Sequence, residues 1–110
     1  MNERVDAVFD ALGDPTRRRL FDAVAATGPV TATQLAGDLP VTRQAVAKHL
    51  AVLAGAGLVV ATRSGRENRY EAVPDALDDA KVWLDRVGRR WDDRLRALRR
   101  HVEPRAAPER

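Results

Sequence analysis

The chain has 110 residues, a formal net charge of +3 and no cysteine, and it is 45% hydrophobic and 32% charged. This length suits one domain, and the lack of cysteine excludes disulfides, thiolate metal sites and cysteine nucleophiles. Its apolar runs are far shorter than the roughly 20 residues that span a bilayer, and its N-terminus lacks a signal-peptide pattern, so we expect a cytoplasmic protein without membrane contact.

The first two helices are predicted from apolar spacing and start signals. Apolar residues at helical spacing predict a helix over Glu3–Leu12. Asp14 followed by Pro15 is typical of a helix start, because an acidic N-cap precedes proline at the first helical position. A second helix should therefore run from Pro15 to the stop at Thr27 and the glycine after it.

Two shorter helices follow. Thr31 and Gln34 have capping-box spacing, which predicts a third helix over Ala32–Asp38. Thr42 is the expected N-cap of a fourth helix that ends near residues 54–57. Two short helices joined by a tight turn indicate a helix-turn-helix.

A hairpin and a long helix complete the prediction. The segments Leu58–Arg63 and Arg69–Val73 are β-prone and flank SGREN, whose glycine permits a tight reversal. Pro74 and Asp75 should start a last helix that runs to about Val102. We expect a mainly α winged helix-turn-helix with five helices and a two-stranded wing, in one domain over residues 1–103 with a disordered tail over 104–110.

The fourth helix has the pattern of a DNA-reading helix. Its apolar residues share one face, and its outer face is polar and slim enough for a major groove about 12 Å wide. Gln44 can offer an amide to adenine, while Arg43 and Lys48 can reach guanine or phosphate. The small outward residues are Ala47 and Ala51. We expect double-stranded DNA as the partner.

The charge distribution supports this expectation. Of the 19 basic residues, 17 are arginine, the side chain best suited to bidentate phosphate and guanine contacts. Residues 41–70 hold five basic residues and one acid. Three arginines lie at or beside the hairpin turn, and we expect them to contact phosphate or the minor groove: Arg63, Arg66 and Arg69.

The last helix carries a heptad stripe that predicts a homodimer. Apolar residues recur every seven positions and continue into the adjoining stripe, while charged residues occupy most other positions. About 28 helical residues measure roughly 42 Å, longer than a winged-helix core can cover. The predicted interface joins this helix to the first one and comprises Val5, Phe9, Leu12, Leu77, Leu84, Trp91, Leu95 and Leu98.

Three segments together resemble the ArsR/SmtB family of transcriptional repressors: LGDPTRRRLFDAV, TATQLAGDLPVTRQAVAKHLAVLAGAGLV and TRSGRENRYEAV. The resemblance implies a homodimeric winged helix-turn-helix that binds a palindromic operator and leaves it when an inducer binds. It also implies base-reading residues on the fourth helix and backbone contacts on the wing. The implied set is Thr42, Arg43, Gln44, Ala47 and Lys48, with Arg63, Arg66 and Arg69.

The chain departs from the family at its metal sites. Where thiol sensors of the family carry Cys-x-Cys, this chain reads Thr31-Ala32-Thr33, and hydroxyls cannot replace thiolates for arsenite or cadmium. His101 and Glu103 stand at neither spacing of the family's second site and point about 200° apart on a helix. We therefore predict no metal and no cofactor, and the inducer cannot be read from the sequence.

The sequence lacks the residue sets that an enzyme would need. No Ser/His/Asp set, glycine-rich phosphate loop or carboxylate cluster in an apolar setting can be assembled, so we predict no enzyme activity. Two alternatives stay open. One is a protein-interaction module without DNA binding, and the other is a repressor that senses metal through histidine and carboxylates, which would show zinc-dependent release from DNA.

Overall fold

The computed structural model describes residues 2–106. The chain folds into two compact units. The first extends to Ala80, and the second begins at Lys81 and consists of the body of the last helix. In the part of the chain that the structure describes, no helix is both long and apolar enough to cross a membrane.

Five helices and three strands make up the described chain. In order they are α1 (Glu3–Leu12), α2 (Pro15–Thr27), β1 (Val30–Thr31), α3 (Ala32–Asp38), α4 (Arg43–Gly55), β2 (Val59–Ser64), β3 (Glu67–Ala72) and α5 (Asp78–Ala106). The predicted winged helix-turn-helix is confirmed: α3 and α4 form the helix-turn-helix, and β2 and β3 form the wing.

Each of the first four helices begins at a side-chain cap. Asn2, Asp14, Thr31 and Thr42 each accept a hydrogen bond from the backbone N–H three residues later. At α3 the capping box is complete, because the Thr31 N–H also donates to Gln34 Oε1 at 2.9 Å. These caps satisfy backbone donors that lack partners within the helix, and they set where each helix starts.

The wing is tied to the rest of the first unit by a strand that the sequence reading missed. The sheet is antiparallel in the order β1-β3-β2, with Val30 opposite Tyr70 and Thr62 opposite Arg69. β1 has two residues, too few for an alternating pattern to be recognised. Because β1 leads directly into α3, the pairing holds the base of the wing beside the helix-turn-helix.

The core of the first unit lies between α2, α4 and the base of the wing. Its largest fully buried side chains are Leu20, Val24, Val46, Leu50, Leu53 and Leu58. Tyr70, 9% exposed, carries the core into the wing. Burial of these side chains sets the rotation of α4 about its axis, since turning the helix would expose Leu50 and its neighbours to water.

Three predicted boundaries differ from the structure. The strands of the wing extend closer to the turn than predicted, because Ser64 already pairs with Glu67. α5 starts at Asp78 rather than at Pro74, because residues 74–77 form turns. It continues to Ala106, past the predicted end near Val102, and residues 107–110 of the predicted tail lie outside the described residues.

Candidate nucleic-acid interface

α4 presents one face to solvent because its other face is buried. Val46, Leu50 and Leu53 are each 0% exposed. The Thr42 hydroxyl accepts from the Ala45 N–H at 3.1 Å, and this bond fixes the first turn. All predicted base-reading residues are consequently exposed at the surface: Thr42, Arg43, Gln44, Ala47 and Lys48.

The two strands of the wing are joined by a two-residue turn, Gly65–Arg66. Gly65 has φ +64°, a left-handed conformation that non-glycine side chains rarely adopt, and Arg66 follows it at the tip. The Nε of Arg63 donates to the Gly65 carbonyl at 2.9 Å. Arg63 is thereby partly engaged within its own hairpin, whereas Arg66 extends from the tip itself.

The three wing arginines do not share one face of the hairpin. Arg69 lies opposite Thr62 and shares its face of the hairpin, whereas Arg63 is the residue next to Thr62 in β2. Successive side chains of a strand point to opposite faces. All three arginines are exposed, but Arg63 and Arg69 therefore point to opposite faces of the hairpin.

A small surface cleft lies where α3, α4 and the wing meet. It encloses about 140 Å³, and we call it the α3–wing cleft. Its lining comprises Thr31, Ala32, Thr33, Arg43, Ala47, Arg66, Glu67, Asn68 and Tyr70. Within it the Nε of Arg43 donates to Thr33 Oγ1 at 3.0 Å. The cleft thus brings together Arg43 and Arg66, which lie 23 positions apart in the sequence.

Thr33 and Asn68 are residues of this site that the sequence reading did not assign to it. In the sequence, Thr33 stands out only as a position where family members carry cysteine, and Asn68 only as part of the predicted turn. No local pattern connects either residue to Arg43. Their grouping depends on the packing of α3 against α4 and on the pairing of β1 with β3.

No metal-ligand group is present among the described side chains. Three or more His, Cys, Asp or Glu side chains that could together hold a metal ion do not occur in that part of the chain. His49 is half-buried on α4, whereas His101 is exposed on α5. Glu103 lies in α5, but its side chain is outside the described part of the structure.

The residues of the predicted dimer interface differ in exposure within a single chain. Val5 is 3% exposed, so little of its surface remains for a partner, and Phe9, Leu12 and Leu77 are partly buried against the core. The residues in the body of α5 are much more exposed. Their exposed fractions are 50% for Leu84, 62% for Trp91, 41% for Leu95 and 60% for Leu98.

Comparisons with known proteins agree with this architecture. A helix-turn-helix domain model matches residues 12–61. The chain is 46% identical over 72 residues to the uncharacterized HTH-type transcriptional regulator YuzN of Bacillus subtilis, a match that covers 60% of this chain and 78% of that protein. It is 41% identical over 81 residues to the HTH-type transcriptional regulator Rv2034 of Mycobacterium tuberculosis, covering 74% of this chain and 75% of that protein.

A solved structure extends the likeness to nearly the whole chain. An ArsR-like transcriptional regulator from Rhodococcus sp. RHA1 superposes with a TM-score of 0.73 and is 39% identical, covering 90% of this chain and 92% of that one. These relatives are transcriptional regulators, a non-enzymatic class, and with the helix-turn-helix match they support a DNA-binding transcriptional regulator. The chain belongs to the ArsR family of helix-turn-helix regulators.

Proposed function

We propose that this regulator is a repressor that binds a palindromic operator as a homodimer. The observation that carries the proposal is the outer face of α4, which exposes an amide, two cations and two alanines above a fully buried stripe. Small residues let the helix approach the groove floor, and the polar side chains at its N-terminal end can reach base edges.

The apolar face of α5 supports the homodimer. Leu84, Trp91 and Leu98 recur every seven residues and are at least half exposed. A groove on the same helix is lined by Trp91, Arg94, Leu95, Ala97, Leu98 and His101. Continuous apolar surface of this kind is typical of an interface, and a heptad repeat is suited to a second copy of the same helix.

Twofold symmetry of the protein predicts twofold symmetry of the DNA site. Two copies of α4 related by a dimer axis must enter successive major grooves, so we expect half-sites about one helical turn, roughly 34 Å, apart. A dimer seated across a promoter would block access to it. Repression is the action that the family resemblance implies.

The proposal is tested first by DNA binding. Purified protein should shift a fragment of its own promoter region, and the affinity should fall as salt increases. Gln44→Ala should weaken binding to the operator by about tenfold and leave binding to random DNA nearly unchanged, because base contacts carry the specificity. Fluorescence anisotropy with labelled operator and random duplexes measures both affinities.

Arg66→Ala is the matched comparison on the wing. It should weaken binding to operator and random DNA by the same factor, because phosphate contacts do not depend on sequence. Equal losses on both DNAs for Gln44→Ala would contradict the assignment of α4 as the reading helix. Transcription in vitro from the promoter should decrease on addition of the protein, and an increase would contradict repression.

A further inference from the structure

The α3–wing cleft suggests a role for Arg43 that differs from base reading. The side chain extends toward α3, where its Nε donates to Thr33 Oγ1 at 3.0 Å. Its guanidinium then lies in the cleft that it shares with Arg66 at the tip of the wing. Two arginines contributed by different elements therefore face one small cavity.

We propose that the α3–wing cleft binds one phosphate of the DNA backbone, and that Thr33 is the positioning residue that holds Arg43 for this contact. The inference rests on the proposed function and adds to it. It changes the role expected for Arg43 from specifying the sequence to anchoring the protein on the backbone.

The size and chemistry of the cleft support a phosphate. At about 140 Å³ it is smaller than typical small-molecule pockets, which enclose roughly 300–1,000 Å³. With Nε engaged by Thr33, the terminal N–H groups of Arg43 still form a planar fork that matches phosphate oxygens. Asn68 adds an amide that can donate to the same oxygens.

The hydrogen bond to Thr33 has an energetic consequence. An arginine side chain that is held before binding loses less conformational freedom when it contacts a phosphate. Removal of the hydroxyl should therefore weaken DNA binding only through Arg43. Glu67 also lines the cleft, and although the pleat points its side chain to the face opposite Asn68, its negative charge should oppose a phosphate there.

The decisive measurement compares operator and random DNA for variants of Arg43. Arg43→Ala should weaken binding to both DNAs by the same factor, about tenfold. It should also reduce the slope of log affinity against log salt by about 0.9, the value for one phosphate contact. Gln44→Ala, on the same turn of α4, should instead change the ratio of the two affinities.

A double-mutant cycle tests the role of Thr33. Thr33→Val should weaken binding to both DNAs by about threefold. Thr33→Ser, which keeps the hydroxyl, should preserve the affinity. In an Arg43→Ala background, Thr33→Val should have no further effect. A purely structural role for Thr33 would produce the same loss in both backgrounds and would overturn this part of the proposal.

Glu67→Gln is an independent test in which the DNA affinity should increase rather than decrease. It should strengthen binding to both DNAs, whereas Glu71→Gln, which removes the same charge from an exposed position on β3 outside the cleft lining, should have a smaller effect. Equal effects of these two variants would overturn the cleft as the phosphate site.

The outcomes separate this inference from the proposed function. If the wild-type protein binds its operator but Arg43→Ala changes the ratio of operator to random affinity, the inference fails and the proposed function stands. If the wild-type protein binds no DNA, both fail.

Discussion

At the scale of single residues, the hydrogen bond by which Asp14 caps α2 makes the stability of the fold depend on pH in the acidic range. The Arg17 backbone N–H donates to the Asp14 carboxylate at 3.0 Å, and this bond, assisted by the nearby charges of Arg17 and His49, lowers the pKa of Asp14 below its ordinary value of 3.8. A lowered pKa in the folded state contributes stability that is present above the ordinary pKa and is lost as the pH falls through the folded value.

We therefore expect Asp14→Asn to lower the melting temperature at pH 7, with a difference from wild type that shrinks below about pH 4. Asparagine can still cap the helix, so the variant removes the charge and keeps an acceptor. Thermal unfolding followed by circular dichroism at pH 7 and pH 3 measures the difference. Asp22→Asn, at an exposed position on the same helix, controls for the loss of one negative charge. The prediction is wrong if the Asp14→Asn difference is the same at both pH values.

At the scale of elements, the wing depends on one backbone conformation. Gly65 has φ +64°, and its carbonyl accepts from Arg63 Nε. An alanine in this left-handed conformation costs about 1–2 kcal/mol. Apart from the two adjacent residues, no atom lies within 4 Å of the position where its Cβ would stand, so the cost would arise from backbone strain rather than from a clash.

Gly65→Ala should accordingly destabilise the protein by about 1 kcal/mol and speed amide hydrogen exchange in β2 and β3. Gly37→Ala is the matched control, because Gly37 lies in α3 without a positive φ and with equal space for a Cβ. That substitution should be neutral or stabilising. Urea unfolding compares the two variants, and equal destabilisation by both would exclude backbone strain as the cause.

At the scale of the whole molecule, DNA binding should depend on a dimer made through α5. Trp91 is 62% exposed in the single chain and stands on the heptad stripe. Trp91→Glu would place a charge in a desolvated interface, and we expect the dimer dissociation constant to rise about 30-fold or more. Operator binding should be lost with the dimer, although no DNA-facing residue has changed.

Val82→Glu is the control for this prediction. Val82 is 60% exposed on the same helix, nine residues before Trp91 and hence on the opposite face. It should leave the dimer and operator binding intact. Analytical ultracentrifugation and mobility shifts measure both properties, and a Trp91→Glu protein that remains a dimer and still shifts operator DNA would refute the interface.

Much of the fold could be predicted from the sequence because its signals are local. The caps at Asp14, Thr31 and Thr42 each join atoms three residues apart, so the residues that start a helix lie next to it in the chain. The exposed face of α4 follows from a repeat of 3.6 residues per turn, which holds whatever the helix packs against. The polar outer face of α4 and the basic hairpin were therefore recognisable from the sequence.

Only the tertiary structure decided which distant residues meet. Val30 pairs with Tyr70 across 40 positions, and this pairing places β3 beside the start of α3. The register of the hairpin pairs Arg69 with Thr62, the residue next to Arg63, and so places Arg63 and Arg69 on opposite faces. A register shifted by one residue would turn every side chain of one strand to the other face. The hydrogen bond from Arg43 to Thr33 joins two helices whose relative position depends on core packing. The sequence determined by itself where each of the first four helices starts and which side of α4 is polar, since neighbouring residues settle both. The α3–wing cleft arose from contacts between elements, which depend on how their side chains pack and pair.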